Sequence, residues 1–304
     1  MAILKILPGG TSGGFAGPGR SVGDLGKPRG EVKGWTAGAS RRHVAFLWSV
    51  DTERLSSDGW ALTLTMGGTP ENADDWHAAR KALQHRLKRA GFLTQHWVIE
   101  WTALGRPHLH MAIFGPADAR TVAGLAWLDI CDMRAWPAEW RGQHIVALTG
   151  ATGWLEYVAK HSARGVSHYQ REGAPAGWEK TGRLWGHWGD WPVELGTKIE
   201  LHDYRFYRYR RLVTEWQRRR MLRAGVPWKV ARMVGRRYGE RDTGSFMGVS
   251  GWIPDLVSTR LLFSGTSPNG GGSVRSLEGI NNGYCSDVDY RGCCRSIVHT
   301  IRRE

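Results

Sequence analysis

The spacing of hydrophobic and polar residues divides the chain into a patterned middle part and two flanks without a clear period. Residues 1–42 are rich in Gly-Gly, Gly-Pro and Pro-Arg-Gly, which predicts a flexible arm. From residue 43 to about residue 200, apolar positions recur with strand and helix periods, as in a packed domain. Gly, Ser and Asn dominate residues 243–304, which we expect to form a disordered tail.

Within the patterned part, the periodicity predicts strands at residues 43–50, 60–66, 95–102, 108–114 and 145–148, and helices at about 69–90, 117–128 and 152–164. Thr69 is the expected N-cap of the first of these helices, with Pro70 at its first position. From residue 60 onward the order is β-α-β-β-α-β. This order predicts an α+β, ferredoxin-like fold, in which an antiparallel sheet carries its helices on one face, followed by a basic helical C-terminal extension.

The strands predicted at residues 95–102 and 108–114 form a hairpin with one apolar face and one polar face. If the hairpin turns symmetrically about Leu104, Glu100 lies opposite His108, and His110 lies one pleat further along. Two imidazoles and a carboxylate are typical of a divalent metal site that leaves positions open for substrate oxygens. The alternative is a pair of surface or hydrogen-bonded histidines, which is the commoner meaning of His-x-His on a strand.

The helix predicted at residues 152–164 brings four polar residues to one face, namely Tyr157, Lys160, His161 and Arg164. A phenol beside cationic groups is suited to attack a phosphodiester, because the cations favour the phenolate and neutralise charge in the transition state. The alternative is an amphipathic helix whose tyrosine lies at the surface.

Three short motifs occur in a telling order: Thr-Leu-Thr within residues 60–66, Pro-His-Leu-His at 107–110 and Tyr-Val-Ala-Lys at 157–160. Together they resemble the motifs of HUH-type rolling-circle replication initiators of plasmids and single-stranded DNA phages. The resemblance covers residues 43–200, including Gly-Arg-Leu-Trp-Gly at 182–186, and implies a nicking endonuclease domain there. It implies that His108 and His110 bind Mg²⁺ or Mn²⁺, that Tyr157 is the nucleophile and that Lys160 positions the phosphate or the nucleophile. Glu100 as third metal ligand is a geometric inference.

One position departs from the phage gene A type of initiator, which carries two tyrosines in Tyr-x-x-x-Tyr. Here His161 stands at the fourth position after Tyr157, which indicates a single-tyrosine enzyme. Tyr169 is the nearest further tyrosine, but the Gly-Val pair at 165–166 is expected to end the helix before it.

The charge of the chain is unevenly distributed. Basic residues number 42 and acidic residues 28, giving +14, and 11 of these charges belong to residues 204–241, where aromatic residues are interleaved with arginines. Cations that bind phosphates and rings that stack on bases predict a DNA-binding extension at residues 201–242. The break at residues 225–227 also allows a helix-turn-helix, or an ordinary solvated helix pair. The candidate DNA contacts are His161, Arg164, Arg205, Arg208, Arg210, Arg211, Arg218, Arg219, Arg220, Trp216 and Trp228.

Several classes of protein are excluded by what the sequence lacks. It has no apolar run long enough to span a membrane, no signal-peptide pattern and no paired-cysteine framework, so we expect a protein of the bacterial host cytoplasm. It also has no Gly-x-x-x-x-Gly-Lys-Ser/Thr motif, so no nucleotide cofactor is expected. Unwinding and synthesis would then come from a host helicase and polymerase.

The leading hypothesis is an endonuclease that nicks single-stranded origin DNA, leaving a 5′-phosphotyrosine link and a free 3′-OH for rolling-circle replication. An HUH transposase of single-stranded elements shares this chemistry, although such chains are usually shorter and lack a long basic extension. A relaxase fits less well, because its tyrosine typically precedes the histidine motif. The alternative of a different class is a non-catalytic protein that binds single-stranded nucleic acid, for which a chelator would change little.

Overall fold

The computed structural model describes residues 1–15, 30–55, 59–115, 118–148, 168–172, 174–232 and 249–264. The strands are β1 (Ala2–Leu7), β2 (Gly10–Phe15), β3 (Gly59–Leu64), β4 (Thr94–Trp101), β5 (Pro107–Phe114), β6 (His144–Ala147), β7 (Trp185–Trp188), β8 (Thr197–Leu201) and β9 (Val249–Gly251). The helices are α1 (Ala37–Ser49), α2 (Ala73–Arg89), α3 (Ala119–Asp132), α4 (Asp203–Arg223) and α5 (Asp255–Phe263). Of these helices, none has the length and apolar character needed to cross a membrane.

The chain divides into two compact units. The central unit comprises residues 26–47 and 51–193, and the terminal unit comprises residues 1–25, 48–50 and 194–304. Each unit contains an antiparallel sheet and helices, so the predicted α+β class is confirmed.

The sheet of the central unit has the strand order β6-β3-β5-β4-β7, and every described pairing in it is antiparallel. Along the chain its elements follow as β3, α2, β4, β5, α3 and β6. Alternation in β3 buries Leu62 and Leu64 completely, as the sequence predicted. These leucines belong to a core that also contains Trp76 of α2 and Trp127 of α3, and this core fixes the hairpin on which the candidate site lies.

Helix α2 begins three residues later than the sequence predicted. The N-cap is Asn72, whose side-chain oxygen accepts a hydrogen bond from the backbone N–H of Asp75 at 2.9 Å, and not Thr69. Both residues are good caps, but Pro70 lies in the segment before the helix, where its carbonyl accepts the indole N–H of Trp178. The predicted end before Gly91 is confirmed, with Arg86, Lys88 and Arg89 in the last turn.

The predicted strand at residues 43–50 is wrong, because these residues belong mainly to helix α1. A short apolar run has no period that separates a buried strand from a buried helix. The helix is favoured locally by Thr36, whose hydroxyl accepts the backbone N–H of Ala39 at 3.1 Å.

The predictions of a flexible arm and a disordered tail are wrong for part of each segment. Residues 2–15 form the β1-β2 hairpin, and residues 249–264 contain β9 and α5. Glycines hid the hairpin from the pattern, yet they serve its packing: a Cβ at Gly13 would lie 2.6 Å from the carbonyl oxygen of Ile3. Residues 16–29 and 265–304 of these segments lie outside the described residues.

The terminal unit has its own sheet, in the order β8-β1-β2-β9, and its own core. Leu4 and Ile6 of β1 pack there with Phe206 and Tyr209 of α4, which recur at helical spacing. The basic extension predicted from the sequence is therefore part of a folded unit, and one face of α4 is committed to its core.

Candidate functional site

The β4-β5 hairpin has the register that the sequence predicted. Glu100 pairs directly with His108, and Val98 pairs with His110. The turn that sets this register is closed by a hydrogen bond from the N–H of Thr102 to the carbonyl of Arg106 at 2.8 Å, and Gly105 adopts φ +71°, which favours glycine. Glu100, His108 and His110 therefore share one face of the hairpin.

That polar face is buried within the central unit. Glu100 is 0% exposed and His110 7% exposed, while His108 is half-buried. A buried carboxylate needs a charged or hydrogen-bonding partner, because removal from water costs several kcal/mol.

The partner of Glu100 is Arg171, which the sequence analysis did not identify. The Arg171 Nε donates to Glu100 Oε1 at 3.0 Å, and both side chains are fully buried. The guanidinium lies over the Trp35 ring, 4.1 Å from its centroid. The only available clue in the sequence is that a carboxylate on an otherwise closed strand demands a cation; the pattern does not say which one.

His110 is held from two sides. Its Nδ1 lies 3.1 Å from the Thr63 hydroxyl, and its Nε2 lies 3.7 Å from Glu100 Oε2. Thr63 pairs with His110 across the β3-β5 ladder and belongs to the Thr-Leu-Thr motif. A hydrogen bond to one ring nitrogen sets the orientation and tautomer of the other, as in most metal-binding histidines. Thr63 is thus a second residue of this site that sequence reasoning treated only as part of an alternation.

The donor chemistry suits a divalent ion, but the described side chains are not assembled around one point. Within the described ranges, no three His, Cys, Asp or Glu side chains are grouped so that they could hold a metal ion. Two donors that each lie about 2.1 Å from one ion are at most about 4.2 Å apart. The 3.7 Å between Glu100 Oε2 and His110 Nε2 meets this limit. The His108 ring, whose centroid is 5.9 Å from that of His110, would have to turn towards the pair.

The residues predicted for the nucleophilic step, Tyr157, Lys160, His161 and Arg164, lie outside the described residues. Of the other tyrosines, Tyr169 is 60% exposed, with its ring 4.7 Å from that of His168. Tyr209 belongs to the terminal core, where burial raises the pKa of its phenol to about 12 and its hydroxyl contacts Ser258 at 2.6 Å. Burial therefore disfavours Tyr209 as a nucleophile.

The candidate DNA-binding arginines of α4 differ in how far they are engaged by protein groups. Arg205 and Arg211 are exposed, and Arg210 is half-buried. Arg208 donates to the carbonyl of Ser264, and Arg220 lies 5.4 Å from the centroid of the Trp216 ring.

Arg218 and Arg219 share one partner, Glu215, with N···O distances of 2.5 and 2.7 Å. Their net charge is therefore reduced to about that of one cation, so the exposed arginines at the start of α4 carry the more available charge.

The predicted interruption at residues 225–227 is confirmed. Gly225 has φ +76°, and the N–H of Val226 bonds to the carbonyl of Met221 at 3.0 Å, which is the pattern of a helix end capped by glycine. Helical backbone resumes at Trp228 and continues to Arg232, where the described stretch ends. Trp228 is 51% exposed, and Arg232 lies over its ring at 5.2 Å.

Comparisons with known proteins place the chain in a family. Residues 59–165 match the model of a family of replication-associated proteins of the ORF2 type. The chain is 39% identical over 248 residues to the replication-associated protein of Pseudomonas phage Pf3, covering 78% of this chain and 88% of the relative. The chain belongs to the replication-associated protein family. The part of this family member that matches the family model contains β3, the β4-β5 hairpin and Tyr157.

Two bacterial relatives of this replication-associated protein extend the match. A putative replication protein of Xylella fastidiosa strain 9a5c is 38% identical over 289 residues, covering 91% of this chain and all of the relative. One from strain Temecula1 is 41% identical over 241 residues, covering 76% of this chain and 90% of the relative. No solved structure matches the chain.

Proposed function

We propose that the protein initiates rolling-circle replication by nicking single-stranded origin DNA. The observation that carries the proposal is the hairpin register, which sets Glu100 opposite His108 and brings Glu100 Oε2 to 3.7 Å from His110, in the stretch matched by the replication family model. The same stretch continues to Tyr157, which lies three residues before Lys160. A paired-histidine face and a downstream tyrosine are the two components that metal-assisted transesterification needs.

We also propose that the central unit has the ferredoxin-like arrangement of HUH endonucleases. In its support, the elements β3, α2, β4, β5, α3 and β6 follow in the β-α-β-β-α-β order, and the first and third of the four strands lie at the centre of the sheet. The helices α2 and α3 contribute to one shared core against the apolar face. The opposite face is then left for the site.

In the proposed reaction, the Tyr157 oxygen forms a bond to the scissile phosphorus and the bond from phosphorus to the 3′-oxygen breaks. The tyrosine loses its proton, and the departing 3′-oxygen gains one to become the 3′-OH that a host polymerase extends. Lys160 neutralises charge near the phosphate. His108, His110 and Glu100 would hold Mg²⁺ or Mn²⁺, which when bound polarises the phosphate oxygens. Thr63 fixes the His110 ring, since it contacts the nitrogen that points away from Glu100.

We propose a single-tyrosine mechanism, because His161 occupies the position of a second tyrosine. A second joining step would then use water or the tyrosine of another subunit. Unwinding by a host helicase completes the proposed cycle in the bacterial cytoplasm. A role in replication is favoured over a transposase because the relatives are replication proteins.

The test of the proposed function is cleavage of labelled single-stranded oligonucleotides that tile the replicon encoding the chain, with Mn²⁺ or with chelator. We expect one break, with a 3′-end that a polymerase extends, in Mn²⁺ and none in chelator. Binding that is equal in both conditions, without any break, would instead identify a non-catalytic nucleic-acid-binding protein.

We further propose that α4 binds the DNA backbone through its exposed arginines. The double variant Arg205→Ala/Arg211→Ala is expected to weaken binding of single-stranded DNA about tenfold and to reduce the slope of log K against log salt by about 1.4, since each lost phosphate contact removes about 0.7. Fluorescence anisotropy titrations between low and moderate salt measure both quantities.

The matched control for this variant is Arg54→Ala/Arg89→Ala, which removes the same charge from exposed positions of the central unit. We expect it to change the slope by less than half as much. Equal effects of the two double variants would show that only net charge matters, and would contradict a DNA contact on α4.

A further inference from the structure

The Glu100–Arg171 pair has a consequence for metal choice that follows from which carboxylate oxygen is engaged. Oε1 accepts the Arg171 Nε at 3.0 Å, whereas Oε2 is the oxygen that lies 3.7 Å from His110. The two oxygens of one carboxylate thus face different partners. We infer that Arg171 is a positioning residue that restricts Glu100 to binding a cation through Oε2 alone, and that it thereby favours Mg²⁺ and Mn²⁺ over Ca²⁺. This inference rests on the proposed metal site.

Arg171 is held in place from several directions, so it cannot easily leave Oε1. Its side chain is fully buried, and its guanidinium lies 4.1 Å from the centroid of the Trp35 ring. The Trp35 indole N–H donates to the carbonyl of Ile99, next to Glu100 in the chain, at 3.1 Å. The backbone before Arg171 is fastened to the same strand, since the carbonyl of Gln170 accepts the N–H of Trp101 at 2.8 Å.

The chemical argument concerns one-oxygen and two-oxygen binding. Ca²⁺ takes 6 to 8 oxygens, commonly both oxygens of one carboxylate, whereas Mg²⁺ requires compact octahedral geometry and uses single carboxylate oxygens. A cation bound to both oxygens of Glu100 would approach Oε1, which already contacts a buried guanidinium cation. Repulsion between two cations in a poorly solvated place opposes that approach. Binding through Oε2 avoids it and keeps the ion on the His110 side.

The chain offers two variants of Arg171 that separate occupancy of Oε1 from charge. In Arg171→Gln, the amide nitrogen stands at the same number of bonds from Cα as the arginine Nε, so an N–H donor to Oε1 is kept while the charge is lost. In Arg171→Met, a methyl group stands at that place, so both donor and charge are lost.

The experiment measures binding of Mn²⁺ alone and of Ca²⁺ alone by calorimetry to the full-length wild type and to both variants, with circular dichroism to check folding. Arg171→Met is expected to raise the Ca²⁺ to Mn²⁺ affinity ratio about tenfold, in line with the effect of removing a group that orients a metal ligand. Arg171→Gln is expected to leave the ratio within about twofold of the wild type. Glu100→Gln should weaken Mn²⁺ binding in every background, which locates the signal at this site.

The outcomes are distinct. An unchanged ratio in Arg171→Met, or the same rise in both variants, would overturn the inference while leaving the metal site intact. Failure of the wild type to bind Mn²⁺ would overturn the proposed metal site, and the inference with it.

If Arg171→Met does not fold, infrared difference spectra of the Ca²⁺-loaded wild type decide the matter. A wide separation of the two carboxylate stretching bands of Glu100 supports one-oxygen binding, and a narrow one overturns it.

Discussion

The variant Tyr157→Phe is expected to lose cleavage of single-stranded DNA by roughly 10³-fold or more, because removal of an enzymatic nucleophile removes the covalent route altogether. Phenylalanine keeps the ring and loses only the attacking oxygen. Binding of the same oligonucleotide should stay within about twofold of the wild type, since α4 and the sheet are unaltered. Single-turnover cleavage with Mn²⁺, followed on a denaturing gel, measures the first quantity and fluorescence anisotropy the second.

The control for this variant is Tyr169→Phe, which removes a phenolic oxygen at a side chain that is 60% exposed. We expect its cleavage rate to match the wild type. If Tyr169→Phe loses cleavage and Tyr157→Phe retains it, the nucleophile has been assigned to the wrong tyrosine.

The second large effect is expected at the hairpin. His110→Ala removes the imidazole that lies 3.7 Å from Glu100 Oε2 and leaves that carboxylate as the only proposed ligand on its side. We expect cleavage to fall by roughly 10²-fold, with partial recovery at high Mn²⁺, because the loss is in metal affinity. Cleavage rates over a Mn²⁺ series measure both features.

A matched control is His85→Ala, at an exposed position of α2. It should leave the rate and its Mn²⁺ dependence unchanged. Cleavage by His110→Ala at the wild-type rate in low Mn²⁺ would contradict a metal role for the hairpin, and with it the proposed mechanism.

The hairpin could be predicted from the sequence because its geometry depends on local rules. A side-chain period of two and a short loop fix which residues face each other, so the pairing of Glu100 with His108 follows without knowledge of the rest of the fold. The same locality explains why the end of α2 before Gly91 was predictable, whereas its N-cap was chosen between nearby residues of similar chemistry.

The environment of the hairpin could not be predicted in this way. Arg171 is 71 positions from Glu100 in the sequence, and Trp35 comes from a segment whose glycines indicated a flexible arm. Both residues reach the site through tertiary packing, which leaves no period in the sequence. Burial changes the chemistry, since Glu100 is neutralised by a protein cation and does not face water.

The terminal unit was missed for a related reason. Strand β2 contains three glycines among six residues, and such a strand lacks the alternation by which strands are recognised. Its partners are β1 at one end of the chain and β9 near the other, so the sheet is built entirely from distant segments. The basic helix α4 was expected from its composition, but its role in packing this sheet was not.

The most direct test of the central claim is the mapping of a covalent adduct. The full-length protein is incubated with labelled single-stranded DNA and Mn²⁺, digested with protease and nuclease, and analysed by mass spectrometry. A 5′-phosphate ester on Tyr157, absent in chelator and absent from Tyr157→Phe, is the result that we predict. Cleavage that proceeds in Mn²⁺ without any phosphotyrosine, or with the ester on another tyrosine, would contradict it.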